Sequence, residues 1–383
     1  RRFFISVGGY LPSISKDSFL KEFPDIDFIV VGEGDLAFAE AIMQLSEEKS
    51  LEGVENVIYK NQEGTIISNP HHVLTTEDLD KLPPPDWSII HDRTDRFAKV
   101  VQLDSSRGCP GFCAFCGIHK FFDEAHCSNR AGHPIRAKDL FWRPRSAIRV
   151  VDEIEYLMGF GITGIDFVDD DFIGTQPERA RGIADEIIKR GLKINFWILT
   201  RSDAVTEDTR GVFELLEKAG LKQAFLGVES NDPDQLKYFA KGIIPEQNRQ
   251  AIRILQEIGI FARVGLINFS RESSLQQIRT NTEFINDYGL QASIATPASK
   301  LRIYINTPLY RTYMKQGIGL VQIGDLEFDY EFIDSRVAYS MALLKNLLIK
   351  SIKQWFISVN SKSSLTTTLI LKSVKKPQNV IRN

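Results

Sequence analysis

The sequence is poor in cysteine, has no long apolar run and shows no strong excess of charge of one sign. Its 383 residues include four cysteines, too few and too clustered for a disulfide framework, so we expect a reduced, cytoplasmic protein. No apolar run reaches the roughly 18 residues of a membrane-spanning helix, and we expect no membrane association. The formal net charge is −3 with scattered basic residues, which argues against a nucleic-acid partner.

The first 80 residues alternate between apolar and amphipathic segments. Two apolar segments end in glycine-rich turns, at residues 8–9 and 32–34, and the segment after the second has apolar residues at helical spacing. A β-hairpin is predicted around residues 61–64. The alternation predicts half of a Rossmann-like, doubly wound α/β domain over residues 1–80. Because the chain opens directly on an apolar segment without Met, we expect it to begin partway through this domain.

The rest of the chain is predicted to be a linker, a barrel and an extension. Residues 78–87 contain three consecutive prolines and are predicted to be neither helix nor central strand, within a linker over residues 81–95. Over residues 96–315, six apolar segments alternate with amphipathic ones, which predicts a partial (β/α)6 TIM-like barrel whose sixth strand lies at residues 291–299. Residues 316–383 are expected to form a mostly helical extension and tail.

Three of the four cysteines, Cys109, Cys113 and Cys116, stand in a C-x3-C-x2-C pattern just after the first barrel strand. Thiolates this close in sequence can hold a soft metal or an iron–sulfur cluster. A structural zinc site needs a fourth ligand; Cys127 and nearby histidines are candidates, and ordinary reduced cysteines are another alternative. Three cysteines on a 4Fe–4S cluster would leave one iron open for a ligand other than the protein.

The stretch RGCPGFCAFC, placed after a strand, resembles the signature of the radical S-adenosylmethionine (SAM) superfamily, and the resemblance extends over about residues 99–311. It implies that the three cysteines hold three irons of a 4Fe–4S cluster. The amino and carboxylate groups of SAM would bind the fourth iron. An electron from the cluster would then split SAM into methionine and a 5′-deoxyadenosyl radical. Phe115 would lie along the adenine.

The resemblance also implies SAM contacts at the ends of the later barrel strands. Asp169, Asp170 or Asp171 would accept from the SAM amino group, although such a run can also be a solvated turn or a helix cap. Arg201 would pair with the SAM carboxylate or form an ion pair in the barrel mouth. Glu229 and Ser230 would bind the ribose hydroxyls of SAM or, alternatively, cap a helix. Ile267, together with Leu266, would contact the adenine.

The two glycine turns at the front resemble those of the cobalamin-binding, Rossmann-like domain that precedes the barrel in one subgroup of the superfamily. Glycine lets a backbone approach a ligand closely, and ligands bind at the strand ends of doubly wound sheets. The residues that would approach cobalamin are Gly8, Gly9, Gly32, Glu33 and Gly34. The first half of that domain is absent from the sequence.

The resemblance therefore implies a radical SAM enzyme with a 4Fe–4S cluster, SAM and, conditionally, cobalamin. We expect a methyltransferase acting on an unactivated carbon. Its partners would be a small-molecule or peptide substrate and an electron donor such as flavodoxin or ferredoxin. Cyclisation, rearrangement or oxidation without methyl transfer is an alternative, and a zinc-stabilised binding protein is an alternative of another class.

Overall fold

The computed structural model describes residues 3–90, 99–121, 142–291, 298 and 300–360. Most of the predicted sixth barrel strand (residues 292–297 and 299), residues 91–95 of the predicted linker and Cys127 lie outside the described residues. None of the helices in the described part of the chain is long and apolar enough to cross a membrane.

The front of the chain forms a four-stranded sheet in the order β1-β2-β3-β4. The first pair is parallel and the other two pairs are antiparallel, so the predicted hairpin is confirmed. The strands are β1 (Ser6–Val7), β2 (Phe28–Val30), β3 (Val57–Lys60) and β4 (Ile66–Ser68). The helices are α1 (Tyr10–Ser15), α2 (Asp17–Glu22), α3 (Asp35–Ser46) and α4 (Thr76–Lys81).

The expectation of a non-helical stretch at residues 78–87 is wrong at its beginning, because α4 extends to Lys81. Thr75 forms a capping box with Asp78: the threonine hydroxyl accepts from the Asp78 backbone N–H at 3.2 Å, and the aspartate accepts from the Thr75 N–H at 2.9 Å. This pairing satisfies two helix-end donors. The helix ends before the prolines, which then form the extended connection.

The centre of the chain is a five-stranded, wholly parallel sheet in the order β11-β10-β9-β8-β5. Each strand coincides with one of the predicted barrel strands. They are β5 (Val100–Leu103), β8 (Gly164–Phe167), β9 (Asn195–Arg201), β10 (Leu221–Glu229) and β11 (Phe261–Leu266). Along the chain, β5 and β8 are separated by an antiparallel ribbon that consists of β6 (Ser106–Gly108) and β7 (Trp142–Pro144).

Amphipathic helices follow the strands and cover the sheet. Their apolar faces form a single core with the strands, in which Ile154, Ile183, Phe213 and Ile252 are fully buried. These helices are α6 (Ala147–Gly159), α7 (Pro177–Lys189), α8 (Arg210–Ala219), α10 (Pro245–Ile258) and α11 (Leu275–Asp287). Two short helices lie in loops: α5 (Ile118–Phe121) and α9 (Pro233–Tyr238).

The chain after the barrel contributes a small antiparallel sheet and two helices. The sheet has the order β12-β14-β13, with β12 (Ile303–Tyr304), β13 (Val321–Gln322) and β14 (Glu327–Asp329). The helices are α12 (Pro308–Lys315) and α13 (Ser335–Asn360). The strands of this sheet do not appear in the sequence prediction, since each has only two or three residues.

A buried ion pair joins the front sheet to the barrel. Arg143 on β7 donates to Glu33 Oε2 at 2.5 Å, and each side chain is only 2% exposed. Arg107 on β6 donates to Glu33 Oε1 at 3.0 Å and also pairs with Asp35. The Leu74 N–H donates to Glu33 Oε2 at 2.8 Å. Glu33 therefore holds two arginines of the β6–β7 ribbon against the front sheet.

Replacing Glu33 with Gln is expected to destabilise the protein by about 3–5 kcal/mol, because breaking a buried ion pair leaves Arg143 without its charge partner. The midpoint of denaturant unfolding measures this change. Glu47→Gln, at an exposed carboxylate just after α3, is the matched control and should change the free energy of unfolding by less than about 0.5 kcal/mol. Equal midpoints for the Glu33 variant and the unaltered protein would contradict the anchoring role.

Candidate functional site

The cysteine loop begins directly after β6, the first strand of the β6–β7 ribbon, and lies beside the carboxyl ends of the parallel strands. Cys113 is buried, and Cys109 and Cys116 are partly buried. The Gly111 N–H donates to Cys109 Sγ at 3.4 Å. His119 lies on the same loop, with Nε2 2.6 Å from the Gly111 carbonyl. The histidine thus supports the loop backbone.

Backbone hydrogen bonds tie the middle of the loop to two other elements. The Ala114 N–H donates to the Phe239 carbonyl at 2.7 Å, and the Ala114 carbonyl accepts from the Leu309 N–H at 2.8 Å. Phe115 packs edge-on against Phe239 with ring centroids 5.5 Å apart and joins the apolar cluster beneath α12. The adenine contact of Phe115 stays a prediction.

Burial raises the pKa of the Cys109 thiol to about 12 and that of Cys116 to about 11. Both thiols are therefore neutral at pH 7 until a metal takes the place of their protons. Among the described residues, no three His, Cys, Asp or Glu side chains are arranged to hold a metal ion.

The three successive aspartates after β8 have different environments. Asp169 is buried and accepts from the Ser105 hydroxyl at 2.8 Å, from the Ser105 N–H and from the Ser106 hydroxyl. Asp171 is also buried and accepts from the Thr200 hydroxyl at 2.7 Å. The carboxylates of Asp169 and Asp171 thus bind neighbouring segments of the barrel.

Asp170 differs from its two neighbours because it is partly exposed. One of its oxygens accepts from the Gly108 N–H at 3.2 Å, directly before Cys109. Burial, together with the charges of Asp169 and Asp171, raises the pKa of Asp170 to about 6. The carboxylate is still ionised at neutral pH. Asp170 is therefore the most exposed of the three aspartates and lies at the start of the cysteine loop.

Arg201, at the end of β9, lies over the cysteine loop. Its guanidinium donates to both carboxylate oxygens of Asp203, at 2.9 and 2.8 Å, and to the Lys241 carbonyl at 2.9 Å. Its Nη1 is buried without a hydrogen-bond partner, and a Cβ atom at Gly111 would overlap it. A buried, unpartnered donor beside Cys109 and Cys113 fits an anionic group of a bound ligand.

Glu229 ends β10 at a bulge with a positive φ of 62°, a conformation uncommon for a residue other than glycine. Its Oε1 accepts from Lys241 Nζ at 3.1 Å. Lys241 has no counterpart in the sequence prediction, since a single lysine in a loop carries no motif. The neighbouring Ser230 is fully buried; its hydroxyl donates to Asn281 Oδ1 and accepts from the Asp232 N–H. The N-cap of α9 is Asp232, whose carboxylate accepts from the Gln235 N–H, so Ser230 does not cap this helix.

The predicted adenine contacts lie at the end of β11: Leu266 is its last residue and Ile267 follows it. Leu266 is buried and Ile267 is partly exposed. The Ile267 N–H donates to the Glu229 carbonyl at 2.8 Å. Of the two, Ile267 is therefore the more accessible to a ligand.

Four of the five residues that were predicted to approach cobalamin line one cleft of about 350 Å³ on the front sheet. They are Gly8, Gly9, Gly32 and Gly34. Glu33 does not line this cleft, because its carboxylate is held by Arg107 and Arg143. A cobalamin contact by the Glu33 side chain is thus disfavoured, whereas cobalamin contacts by the four glycines stay a prediction.

Tyr10 connects the front sheet with the cysteine loop. It follows Gly9 at the start of α1, and a Cβ atom at Gly117 would overlap its hydroxyl. Burial and the charges of Cys116, Tyr304 and Asp170 raise the pKa of Tyr10 to about 12. Sequence reasoning missed this residue because a lone tyrosine after a glycine turn has no characteristic pattern.

Residues 103–283 match the family model of the radical SAM superfamily, and the chain therefore contains a radical SAM domain. It is 28% identical over 309 residues to an uncharacterized methyltransferase of Pyrococcus horikoshii, covering 79% of this chain and 62% of the relative. It is 28% identical over 303 residues to the 4′-phospho-dehydrooxetanocin synthase of Priestia megaterium, covering 73% of this chain and 38% of the relative. The chain thus spans only part of the length of these relatives.

The fold is also similar to that of a solved structure, the cobalamin-dependent S-adenosylmethionine radical enzyme OxsB with aqua-cobalamin and S-adenosylmethionine bound. The TM-score is 0.72 at 23% identity, and the match covers 89% of this chain and 53% of OxsB. At this identity the similarity concerns the fold. Residues 103–283 thus belong to a superfamily whose members use a 4Fe–4S cluster and SAM.

Replacing Asp169 with Asn is expected to destabilise the protein by about 2 kcal/mol or more, because a buried carboxylate that accepts from three donors is lost. Asp170→Asn is the matched control, because Asp170 is partly exposed and accepts a single hydrogen bond, from a backbone N–H. It should lower the free energy of unfolding by less than half as much. Denaturant unfolding measures both. Equal losses would contradict the structural role of Asp169.

Proposed function

We propose that Cys109, Cys113 and Cys116 hold a 4Fe–4S cluster whose open iron binds SAM. The observation that carries this proposal is the pair of groups on either side of the cysteine loop. Asp170 offers an ionised acceptor, and Arg201 offers a buried donor without a partner. An amino acid zwitterion such as the methionyl part of SAM needs both of these groups.

The residues of the barrel would act by binding and orienting SAM. The bound cluster would supply the electron that cleaves the sulfonium bond of SAM. Asp170 would accept from the SAM ammonium group, and Arg201 Nη1 would donate to its carboxylate. Glu229 would accept from the ribose hydroxyls through the oxygen that Lys241 does not use, and Phe115 and Ile267 would bound the adenine. Ser230 would help to hold this segment in place.

The reaction that we propose is cobalamin-dependent methyl transfer to an unactivated carbon of a small-molecule or peptide substrate. The glycine cleft of the front sheet supports a cobalamin site, as do the relative named as a methyltransferase and the fold shared with a cobalamin-dependent enzyme. An electron donor such as flavodoxin or ferredoxin would reduce the cluster. A radical reaction without methyl transfer is the second candidate, supported by the relative named as a synthase.

Cys113→Ala is expected to abolish 5′-deoxyadenosine formation and to reduce bound iron from roughly four atoms per chain, because two thiolates cannot retain the cluster. The measurements are iron analysis and quantified 5′-deoxyadenosine after anaerobic reconstitution with SAM and dithionite. Cys127→Ala is the control and should retain both iron and product. Equal losses in the two variants would overturn the ligand assignment, and zinc without iron in the unaltered protein would refute the proposed function.

Gly8→Leu is expected to weaken cobalamin binding at least tenfold while leaving the fold intact. A Cβ atom at Gly8 meets only Val30, at 3.7 Å or more, so that the larger side chain would extend into the cleft. Cobalamin uptake is measured from the visible absorbance of the desalted protein. Gly159→Leu, where a Cβ atom meets nothing within 4 Å, serves as the control. Undiminished uptake by the Gly8 variant would contradict the assignment of this cleft.

A further inference from the structure

Lys241 is a buried cation beside the cysteine loop. Its side chain is 5% exposed, and Nζ lies 3.1 Å from Glu229 Oε1. The ion pair packs directly on the backbone of β10, since a Cβ atom at Gly227 would lie 2.8 Å from Lys241 Nζ and 3.0 Å from Glu229 Oε1. A lysine is almost never buried to this degree without a specific reason.

Two backbone contacts fix Lys241 relative to the cysteine loop. The Phe239 carbonyl, two residues earlier, accepts from the Ala114 N–H between Cys113 and Cys116. The Lys241 carbonyl accepts from Arg201, whose guanidinium lies over Gly111. Lys241 is thus held by the same contacts that hold the loop.

The charges of the site also connect Lys241 to the thiols. Burial lowers the pKa of Lys241, but the ion pair with Glu229 outweighs it, so that the pKa of Lys241 is raised and the group stays protonated. Burial raises the pKa of Cys116, and the charge of Lys241 acts in the opposite direction. Lys241 therefore lies within electrostatic range of Cys113 and Cys116.

A buried ion pair contributes little net stability compared with apolar side chains of similar size, so stability alone does not account for this lysine. A 4Fe–4S core with three thiolates becomes more negative by one charge when it is reduced. Net charge near the cluster is one of the determinants of its reduction potential. A fixed cation at the loop favours the reduced state, and a nearby carboxylate opposes it.

We propose that Lys241 is a positioning residue that stabilises the reduced form of the cluster by its charge, and that Glu229 limits this effect. The inference rests on the proposed function, because it needs a cluster on Cys109, Cys113 and Cys116. It assigns to Lys241 a role in electron uptake that is separate from SAM binding. The reduction potential is therefore to be measured without SAM.

The experiment is a redox titration of the anaerobically reconstituted protein, followed by the electron paramagnetic resonance signal of the reduced cluster. Lys241→Met should make reduction at least tenfold less favourable, equivalent to about 59 mV for one electron. Glu229→Gln should shift the potential in the opposite direction, because it removes the opposing charge. Lys241→Arg should stay close to the unaltered protein. Lys237→Met, at an exposed lysine on α9, should cause no shift.

The two opposite shifts distinguish a role of charge from a role in folding. An unchanged potential in a Lys241→Met protein with full iron content would overturn the proposal. If the Lys241→Met variant takes up no iron, the reduction potential of the Glu229→Gln variant decides between the two roles. A potential equal to or lower than that of the unaltered protein would refute the role of Lys241. If the unaltered protein itself takes up no iron, the proposed function fails and the inference fails with it, a result that iron analysis identifies before any titration.

Discussion

The hydrogen bonds of Ala114 to Phe239 and Leu309 fix the cysteine loop over the ends of the parallel strands, and the arrangement of charged groups depends on them. With the loop held there, Arg201 lies over Gly111 and Lys241 lies beside Cys113 and Cys116. Asp170 reaches the loop from the other side through the Gly108 N–H. These bonds are made by the main chain, so they constrain the position of the loop without using its cysteine side chains.

The front sheet depends on a different constraint, the pairing of Glu33 with Arg107 and Arg143. Both arginines belong to the ribbon that leads into the cysteine loop. The same ion pairs that attach the front sheet therefore also fix the start of the loop. Tyr10, which leaves the glycine cleft and ends against Gly117, makes a second connection. The two candidate cofactor sites are thus linked by charge and by packing.

The sequence predicts the strands and helices well where periodicity is strong. The five described barrel strands and the helices that follow them coincide with the predicted segments, because buried parallel strands are continuously apolar and surface helices are amphipathic. The short strands β12 to β14 and the helix α4 differ from expectation. Strands of two or three residues are too short to show a period. In α4, the capping box at Thr75 stabilises a helix that ends at Lys81, before the prolines.

The site was predictable only in part. The spacing of the cysteines identifies the loop, but the three aspartates look equivalent in sequence and only their partners in space distinguish Asp170. Glu33 is predicted from its glycine turn to contact a ligand. In the structure its carboxylate instead accepts from two arginines that are more than 70 residues away in the sequence. Lys241 lies outside any motif. Long-range charge pairing leaves no local pattern, and for that reason sequence reasoning does not find it.

The central claim is that the cysteine loop leaves one iron of a 4Fe–4S cluster open and that SAM binds to it. The most direct measurement is the electron paramagnetic resonance spectrum of the dithionite-reduced, reconstituted protein before and after SAM is added. A change in the g values on addition of SAM is the predicted result, because the ligands of one iron change. A cluster signal that stays identical at saturating SAM would contradict the account.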